Sequence, residues 1–309
     1  MIERNNQYFQ QAKLLIRIIP FIANTPCFAV KGGTAINLFI RELPRLSVDI
    51  DLVYLPIQDR NASLDAIDDA LKVIAEQASS AIKQLRVTPS VLHGTDKVIK
   101  LIIELNNIRI KIEVSPVLRG TVFPSINLEV ADKVSDLIGY AEAQIVSIPD
   151  LYAGKICAAL DRQHPRDLFD ILYLLRNEGI TESIFKAFLV YLISHNRPIA
   201  ELLNPNLKDL SSVFIREFRG MTMENISLDT LYQIRLELIS TINKLITESD
   251  KKFLISFKSG TPEWSLLGID AAESLPAVKW KLQNIMNMQE SKRMNAVNKL
   301  KKVLKVENI

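Results

Sequence analysis

The chain has 309 residues, of which 48% are hydrophobic and 24% are charged. This length is sufficient for two domains with sizeable cores, and the composition excludes an intrinsically disordered protein. The formal net charge of +3 permits a nucleic-acid partner without requiring one, and two cysteines are too few for a disulfide framework.

The first segment has the pattern of an amphipathic helix. Apolar residues recur at helical spacing over residues 1–24, and Pro20 predicts that the helix ends near this position. The most apolar part, Leu14–Ala23, is interrupted by Arg17 and is too short to cross a bilayer. We therefore expect a cytoplasmic protein that makes no membrane contact.

A glycine-rich turn follows the first predicted strand. The apolar run Phe28–Val30 leads into Lys31–Thr34, and a helical pattern continues over Ala35–Leu43. Two glycines allow a tight turn, and the first N–H groups of a helix have no partner within the helix. Such a turn is suited to binding phosphate oxygens, and we expect the Thr34 hydroxyl to point outward from it.

The next segment, Ser47–Leu52, alternates strictly between polar and apolar residues. In a strand, Asp49 and Asp51 would point to one side of the sheet, above an apolar underside. Two carboxylates this close repel each other unless a cation lies between them, so the pattern predicts a metal site. We expect Mg²⁺, with Mn²⁺ as the alternative. A phosphate-binding turn followed by paired carboxylates indicates a nucleoside triphosphate held for attack at phosphorus.

A third acidic residue occurs on a later strand. A covering helix is predicted at Ala62–Ser80, followed by three strands at Gln84–Thr88, Lys97–Glu104 and Arg109–Ser115, with a hairpin turn at Asn106-Asn107. Glu113 alternates with apolar residues on the last of these strands. If that strand lies beside the Asp49 strand, Glu113 completes a three-carboxylate site, as metal ligand or general base. Otherwise it belongs to an ordinary solvated strand face.

The second half of the sequence is helical in pattern. Ala143–Pro149 is predicted to be a connector, and the helix Leu151–Arg162 would place Lys155 on the same face as Arg162. A Lys155 that faces a cleft could bind the β- and γ-phosphates. Asp167 opens the next helix, where it caps the helix or pairs with Arg162 or Lys155. The basic tail, Ser291–Ile309, is either a solvated helix or a contact for an RNA backbone.

Three sequence motifs carry a resemblance to a known family. They are Lys31-Gly32-Gly33-Thr34, Arg45-x-Ser47-x-Asp49-Ile50-Asp51-Leu52, and the block from Lys155 to Asp170 that contains Arg162, Arg166 and Asp167; Leu275–Leu282 is a weaker echo. With them the chain resembles the AbiEii/AbiGii toxin family, which includes MenT-like toxins. This family is a branch of the DNA polymerase β-like nucleotidyltransferases.

The resemblance implies both a fold and a reaction. The implied fold is an α/β (α+β) nucleotidyltransferase core with a mixed sheet over residues 1–145, including the N-terminal helix. An α-helical domain over residues 146–309 would contribute to the active-site cleft. The implied reaction is Mg²⁺-dependent transfer of a nucleoside monophosphate from an NTP to an RNA acceptor. The expected acceptor is the tRNA 3′ end, whose modification blocks translation, and the expected partner is a cognate antitoxin.

The resemblance also implies roles for individual residues. The catalytic set is Asp49, Asp51, Glu113, Lys155 and Asp167. The nucleotide-binding set is Lys31, Gly32, Gly33, Thr34, Ser47, Lys155, Arg162 and Arg166, and the metal ligands are Asp49, Asp51 and Glu113. Two alternatives remain open at this stage. The acceptor could be a protein hydroxyl or a small molecule such as an aminoglycoside, or the chain could be an inactive scaffold that binds nucleotide or a partner.

Overall fold

The computed structural model describes residues 6–306, so the outermost ends of the predicted first helix and of the basic tail lie outside the described residues. The chain forms two compact units. The first unit runs to Ser147 and also includes Phe218–Asn225, whereas the second comprises Ile148–Glu217 and the chain from Ile226 onward. Among the described helices, none has the length and apolar character needed to cross a membrane.

The first unit is built on a seven-stranded mixed sheet, which confirms the predicted mixed-sheet core. The strands are β1 (Phe28–Lys31), β2 (Asp49–Tyr54), β3 (Arg86–Val91), β4 (Val98–Leu105), β5 (Ile108–Arg119), β6 (Ile126–Glu129) and β7 (Glu142–Ile145). Their order across the sheet is β3-β4-β5-β2-β1-β7-β6. The β2–β5 and β1–β7 pairs are parallel, and the other neighbouring pairs are antiparallel.

Helices cover the apolar side of this sheet. The helices of the first unit are α1 (Gln7–Ala23), α2 (Gly32–Ala35), α3 (Arg60–Ala81) and α4 (Asp132–Leu137). Helix α1 packs against β5 and β7, and α3 packs against β4. Ile50, Ile110 and Ile112 are fully or almost fully buried, whereas the residues that alternate with them remain partly exposed. The alternation in sequence therefore separates a covered face from an accessible one.

The predicted hairpin between β4 and β5 is confirmed. Its turn residues, Asn106 and Asn107, have φ values of 49° and 66°. Asparagine tolerates this left-handed conformation, and two successive positive φ values give the turn a twist that matches the flanking strands. The turn fixes the pairing of Glu104 with Arg109 and therefore the register of everything that follows on β5.

The described residues of the second unit form helices joined by loops, which confirms the predicted helical character of this region. Its α-helices are α5 (Ile148–Asp161), α6 (Pro165–Arg176), α7 (Glu182–Ser194), α8 (Ile199–Leu203), α9 (Ser211–Glu217), α10 (Leu228–Leu245), α11 (Glu248–Ser259), α12 (Pro276–Met286) and α13 (Glu290–Leu304). Helix α5 packs against α6 and α7. At its crossing with α7, Gly154 leaves room for the Tyr191 ring, which would lie 3.5 Å from an added Cβ.

Several predicted boundaries are wrong. Helix α1 continues through Pro20 to Ala23, because the packing of the buried Ile18, Ile19 and Ile22 outweighs the one backbone hydrogen bond that Pro20 cannot donate. The helix predicted over Ala35–Leu43 adopts π-helical geometry at Ile36–Ile40 and ends there. The predicted connector Ala143–Pro149 instead contains most of β7 and the start of α5. Four-residue strands such as β7 are too short to show a periodic pattern in the sequence.

Candidate active site

Four charged side chains share the accessible face of β2 and β5, and we call them the carboxylate face: Asp49, Asp51, Lys111 and Glu113. Strands β2 and β5 are direct neighbours, with Asp49 opposite Lys111 and Asp51 opposite Glu113. Lys31 on β1 is the cross-strand partner of Asp51. Because residues opposite each other on neighbouring strands point to the same side, three carboxylates meet on one patch of the sheet.

Ammonium groups lie among these carboxylates. Lys111 Nζ is 3.6 Å from Asp49 Oδ2 and 3.3 Å from Glu113 Oε2, while Lys100 Nζ is 3.5 Å from Glu113 Oε1. Burial alone would lower the pKa of Lys111, but Asp49, Glu113 and Asp51 outweigh it and raise this pKa above its usual value. Lys111 is therefore fully charged at neutral pH.

The residues of the carboxylate face fit a divalent cation by their chemistry. Carboxylate oxygens are the ligands that Mg²⁺ prefers, and Asp49, Asp51 and Glu113 present them from two adjacent strands. In this structure the positive charge between Asp49 and Glu113 is the ammonium of Lys111. Among the described residues, no group of three or more His, Cys, Asp or Glu side chains is already arranged to hold a metal ion.

The glycine turn lies directly beside this face. Gly32 has a φ of +70°, and a Cβ at this position would come within 2.7 Å of Asp51 Oδ2. A Cβ on Gly33 would lie 2.5 Å from Arg45 Nη2. Both glycines therefore let charged groups approach the backbone more closely than any other residue would allow. Arg45 is only 3% exposed and lies beside this turn, and its place in the Arg45-x-Ser47 motif does not by itself predict a role for it.

The hydroxyl of Thr34 does not point outward as predicted. Thr34 is buried, and its Oγ1 lies 2.8 Å from Ser47 Oγ and donates a hydrogen bond to the Asp49 carbonyl oxygen. Ser47 is also buried. The two hydroxyls therefore tie the start of α2 to the start of β2 and fix the spacing between the glycine turn and Asp49.

A segment from much later in the chain forms hydrogen bonds with the residues that precede β2. The backbone N–H of Leu46 donates to the Met221 carbonyl at 2.7 Å, and the N–H of Met223 donates to the Pro44 carbonyl at 3.0 Å. Arg45 and Thr222 form an isolated antiparallel bridge. We refer to this segment, Phe218–Asn225, as the strap.

The second unit holds a separate cluster of charges. Lys155 Nζ lies 2.8 Å from Asp167 Oδ1 and 2.9 Å from Asp170 Oδ2, and all three side chains are almost fully buried. Arg162 also binds Asp167, through Nε and through Nη2, with Nη2 at 2.9 Å from Oδ1. The Arg162 side chain is 60% exposed, so it presents part of its guanidinium group to solvent.

These contacts determine the charge state of Asp167. Burial alone would raise the pKa of Asp167, but the neighbouring Lys155 and Arg162 hold it well below its usual range. The predicted orientation of Lys155 toward an open cleft is not what the structure shows, because two carboxylates enclose its ammonium group in the interior of the helical unit. Sequence spacing places Lys155 and Arg162 on one face of α5, yet it does not show which of them reaches solvent.

The turn between α5 and α6 positions the remaining predicted residue, Arg166. His164 caps α6 by accepting a hydrogen bond from the Arg166 N–H, and its Nε2 lies 3.0 Å from Glu217 Oε2. The Arg166 guanidinium lies 4.0 Å from the same Glu217 carboxylate. Gln163, which is 1% exposed with a φ of +52°, anchors the turn by donating to the Asn206 carbonyl. No sequence pattern singled out Gln163.

The fold resembles that of a known toxin. MenT4, a nucleotidyltransferase toxin from Mycobacterium tuberculosis, superimposes with a TM-score of 0.61 over 90% of this chain and 93% of that chain, at 12% sequence identity. No curated protein sequence matches the chain. The model of a family described as "Nucleotidyl transferase AbiEii toxin, Type IV TA system" matches residues 13–284. This chain therefore belongs to the AbiEii family of nucleotidyl transferase toxins.

Proposed function

We propose that this protein is a Mg²⁺-dependent nucleotidyltransferase that moves a nucleoside monophosphate from an NTP to the 3′ end of tRNA and so blocks translation. The observation that carries the proposal is the carboxylate face beside the Gly32 turn, which brings metal-binding oxygens next to a turn suited to phosphate. Family membership supports the class of reaction and implies a cognate antitoxin, and in this proposal both act in the cytoplasm.

In this proposal the acceptor hydroxyl attacks the α-phosphorus of the NTP. The bond from the α-phosphorus to the bridging oxygen breaks, and pyrophosphate leaves with that oxygen. Glu113 takes the proton of the attacking hydroxyl, because it lies on the same face as Asp49 and Asp51. Mg²⁺, held by Asp49, Asp51 and Glu113, would neutralise negative charge on the triphosphate.

The glycine turn binds the triphosphate in this proposal. The backbone N–H groups of Gly32 and Gly33 donate to phosphate oxygens, and Lys31 on β1 supplies a positive charge beside Asp51. Thr34 and Ser47 act indirectly, because their hydroxyls are used to hold the turn against β2. They are positioning residues for Asp49.

In this proposal, phosphate is bound by Arg162 of the charge cluster and by Arg166, which follows it at the start of α6. Arg162 and Arg166 offer guanidinium groups that can contact phosphate oxygens. Asp167 orients Arg162 by a two-point contact, and the buried Lys155 keeps Asp167 ionised. Lys155 and Asp167 thus act indirectly, by holding the Arg162 guanidinium in place.

The test of the proposed function is a transfer assay. Purified protein is incubated with Mg²⁺, each α-³²P-labelled NTP in turn and total tRNA, and the products are resolved on a denaturing gel. We expect label on tRNA from the wild-type protein and none from the Asp49→Ala/Asp51→Ala double variant. Glu104→Ala is the matched control, since Glu104 lies on the adjacent strand outside the carboxylate face, and it should label tRNA normally.

Two other outcomes would contradict the proposal. If tRNA stays unlabelled while cell extract supports pyrophosphate release, the acceptor is a protein hydroxyl or a small molecule. If nucleotide binds and no pyrophosphate appears with any acceptor, the chain is a binding scaffold.

The close approach of Gly32 to Asp51 gives a second prediction. Gly32→Ala and Gly94→Ala each place a side chain at a positive φ, of +70° and +78° respectively, so each should lose about 1–2 kcal/mol of stability. At Gly94 nothing lies within 4 Å of the added Cβ, whereas at Gly32 the Cβ meets the Asp51 carboxylate. We therefore expect Gly32→Ala to lower the transfer rate about a hundredfold and Gly94→Ala to leave it unchanged. Equal rates in the two variants would show that the turn does not position Asp51.

A further inference from the structure

The position of Lys111 is unusual for a lysine on an accessible sheet face. Its ammonium group lies 3.6 Å from Asp49 and 3.3 Å from Glu113, and the strand register also places it diagonally from Asp51. About a third of each of the Asp49, Lys111 and Glu113 side chains is exposed. The lysine is thus half-buried among carboxylates rather than extended into solvent.

Such an arrangement has an electrostatic reason. Three carboxylates on two adjacent strands repel one another, and the repulsion is costly unless a positive charge lies between them. Lys111 supplies that charge from within the group, since it bridges one carboxylate on each strand. Lys100 reaches only the far oxygen of Glu113 and leaves Asp49 untouched. Lys111 is therefore a cation positioned to offset repulsion between Asp49 on one strand and Glu113 on the other.

We propose that Lys111 is a built-in competitor of the metal ion: its ammonium group holds the carboxylates together before the metal binds, and the metal must displace it. This inference rests on the proposed function, which places a divalent cation at the same carboxylates. Lys111 is a positioning residue in this scheme. It keeps the site assembled without metal and lowers the affinity of the site for metal until nucleotide brings further ligands.

Direct measurement of metal binding tests this inference without any assay of transfer. Mn²⁺ is titrated into the nucleotide-free protein by calorimetry, with wild type, Lys111→Met and the control Lys100→Met. We expect Lys111→Met to bind Mn²⁺ at least about tenfold more tightly, because a like charge is removed next to the cation. Lys100→Met should stay within about threefold of wild type, since Lys100 contacts a single carboxylate. Lys111→Arg, which keeps the charge, should bind no more tightly than wild type.

Thermal unfolding gives a second readout. With a chelator present, Lys111→Met should melt below wild type, because its carboxylates lose their counter-ion. Saturating Mn²⁺ should then raise its melting temperature by more than it raises that of wild type, because tighter binding to the native state stabilises more.

The outcomes separate this inference from the proposed function. Equal or weaker Mn²⁺ binding by Lys111→Met, with metal still bound by wild type, would overturn the role of Lys111 and leave the proposed function standing. Absence of Mn²⁺ binding in all of these proteins, even with a non-hydrolysable NTP analogue, would overturn both.

Discussion

The Asp51→Asn variant will transfer nucleotide at least about a thousandfold more slowly than the wild-type protein. Asp51 has the central position on the carboxylate face, opposite Glu113 on one side and Lys31 on the other, with one oxygen against the Gly32 backbone. Asparagine keeps the shape of the side chain but removes the charge that a metal ion requires. Steady-state rates with the preferred NTP and tRNA measure the effect.

A stability measurement separates loss of chemistry from loss of fold. Asp51→Asn removes one of three repelling carboxylates, so its free energy of unfolding should equal or exceed that of wild type. Glu104→Gln is the matched control, because Glu104 lies on the next strand and pairs with Arg109 outside the site. It should change neither rate nor stability. A transfer rate for Asp51→Asn within tenfold of wild type would be incompatible with a metal ligand at this position.

The second large effect is expected in the interior of the helical unit. Asp167→Ala should lower the free energy of unfolding of this unit by about 3–5 kcal/mol, because it leaves a buried ammonium with one carboxylate fewer. Lys155 and Asp167 have side-chain exposures of 5% and 0%, so water cannot replace the lost contact. Arg162 would also lose both of its bonds to Asp167.

Urea unfolding followed by tryptophan fluorescence measures this change selectively. Both tryptophans of the chain, Trp264 and Trp280, belong to the second unit, and Trp264 packs against Phe253 with ring centroids 5.8 Å apart. Glu248→Ala is the control, since Glu248 forms an ion pair with Lys251 at the surface and is 78% exposed. Its loss should cost less than about 1 kcal/mol. If Asp167→Ala lowers the free energy of unfolding by no more than Glu248→Ala does, the buried cluster is not a source of stability.

The same cluster predicts a dependence on pH. The pKa of Asp167 is lower in the folded protein than the value near 4 expected for an unfolded chain. Its contribution to stability is therefore fully present above about pH 4 and is lost as the pH falls toward the lower folded-state pKa. The difference in unfolding free energy between wild type and Asp167→Asn should stay constant from pH 7 to about pH 5 and narrow below about pH 4.

Local patterns in the sequence were sufficient to predict the parts of the site that lie on single elements. Strict alternation placed Asp49 and Asp51 on one side of a strand, and Asn106-Asn107 marked the hairpin correctly. The sequence did not show which strands are neighbours in the sheet. Strand β5 lies beside β2 although two strands separate them along the chain, so the pairing of Asp49 with Lys111 follows from sheet order. Nothing in either strand alone predicts it.

Hydrogen-bond partners were equally hidden from the sequence. The outward hydroxyl expected at Thr34 is buried against Ser47, and the phosphate-binding lysine expected at position 155 is enclosed by Asp167 and Asp170. In both cases the side chain could contact either a ligand or another part of the protein. Only the packing of neighbouring elements decides which of the two contacts forms. Arg45 illustrates the same point, because its burial against Gly33 depends on the turn that precedes β2.

The strap has a consequence for when the candidate site is completed during synthesis. Leu46 and Pro44 leave the ribosome early, but the backbone groups that bind them belong to Met221 and Met223. The residues just before β2 therefore lack these backbone hydrogen bonds on the ribosome until the strap has emerged from the exit tunnel. A chain truncated before Phe218, by premature termination or by a protease, would contain every carboxylate of the carboxylate face. It would still lack the strap, which holds the residues just before β2 in place.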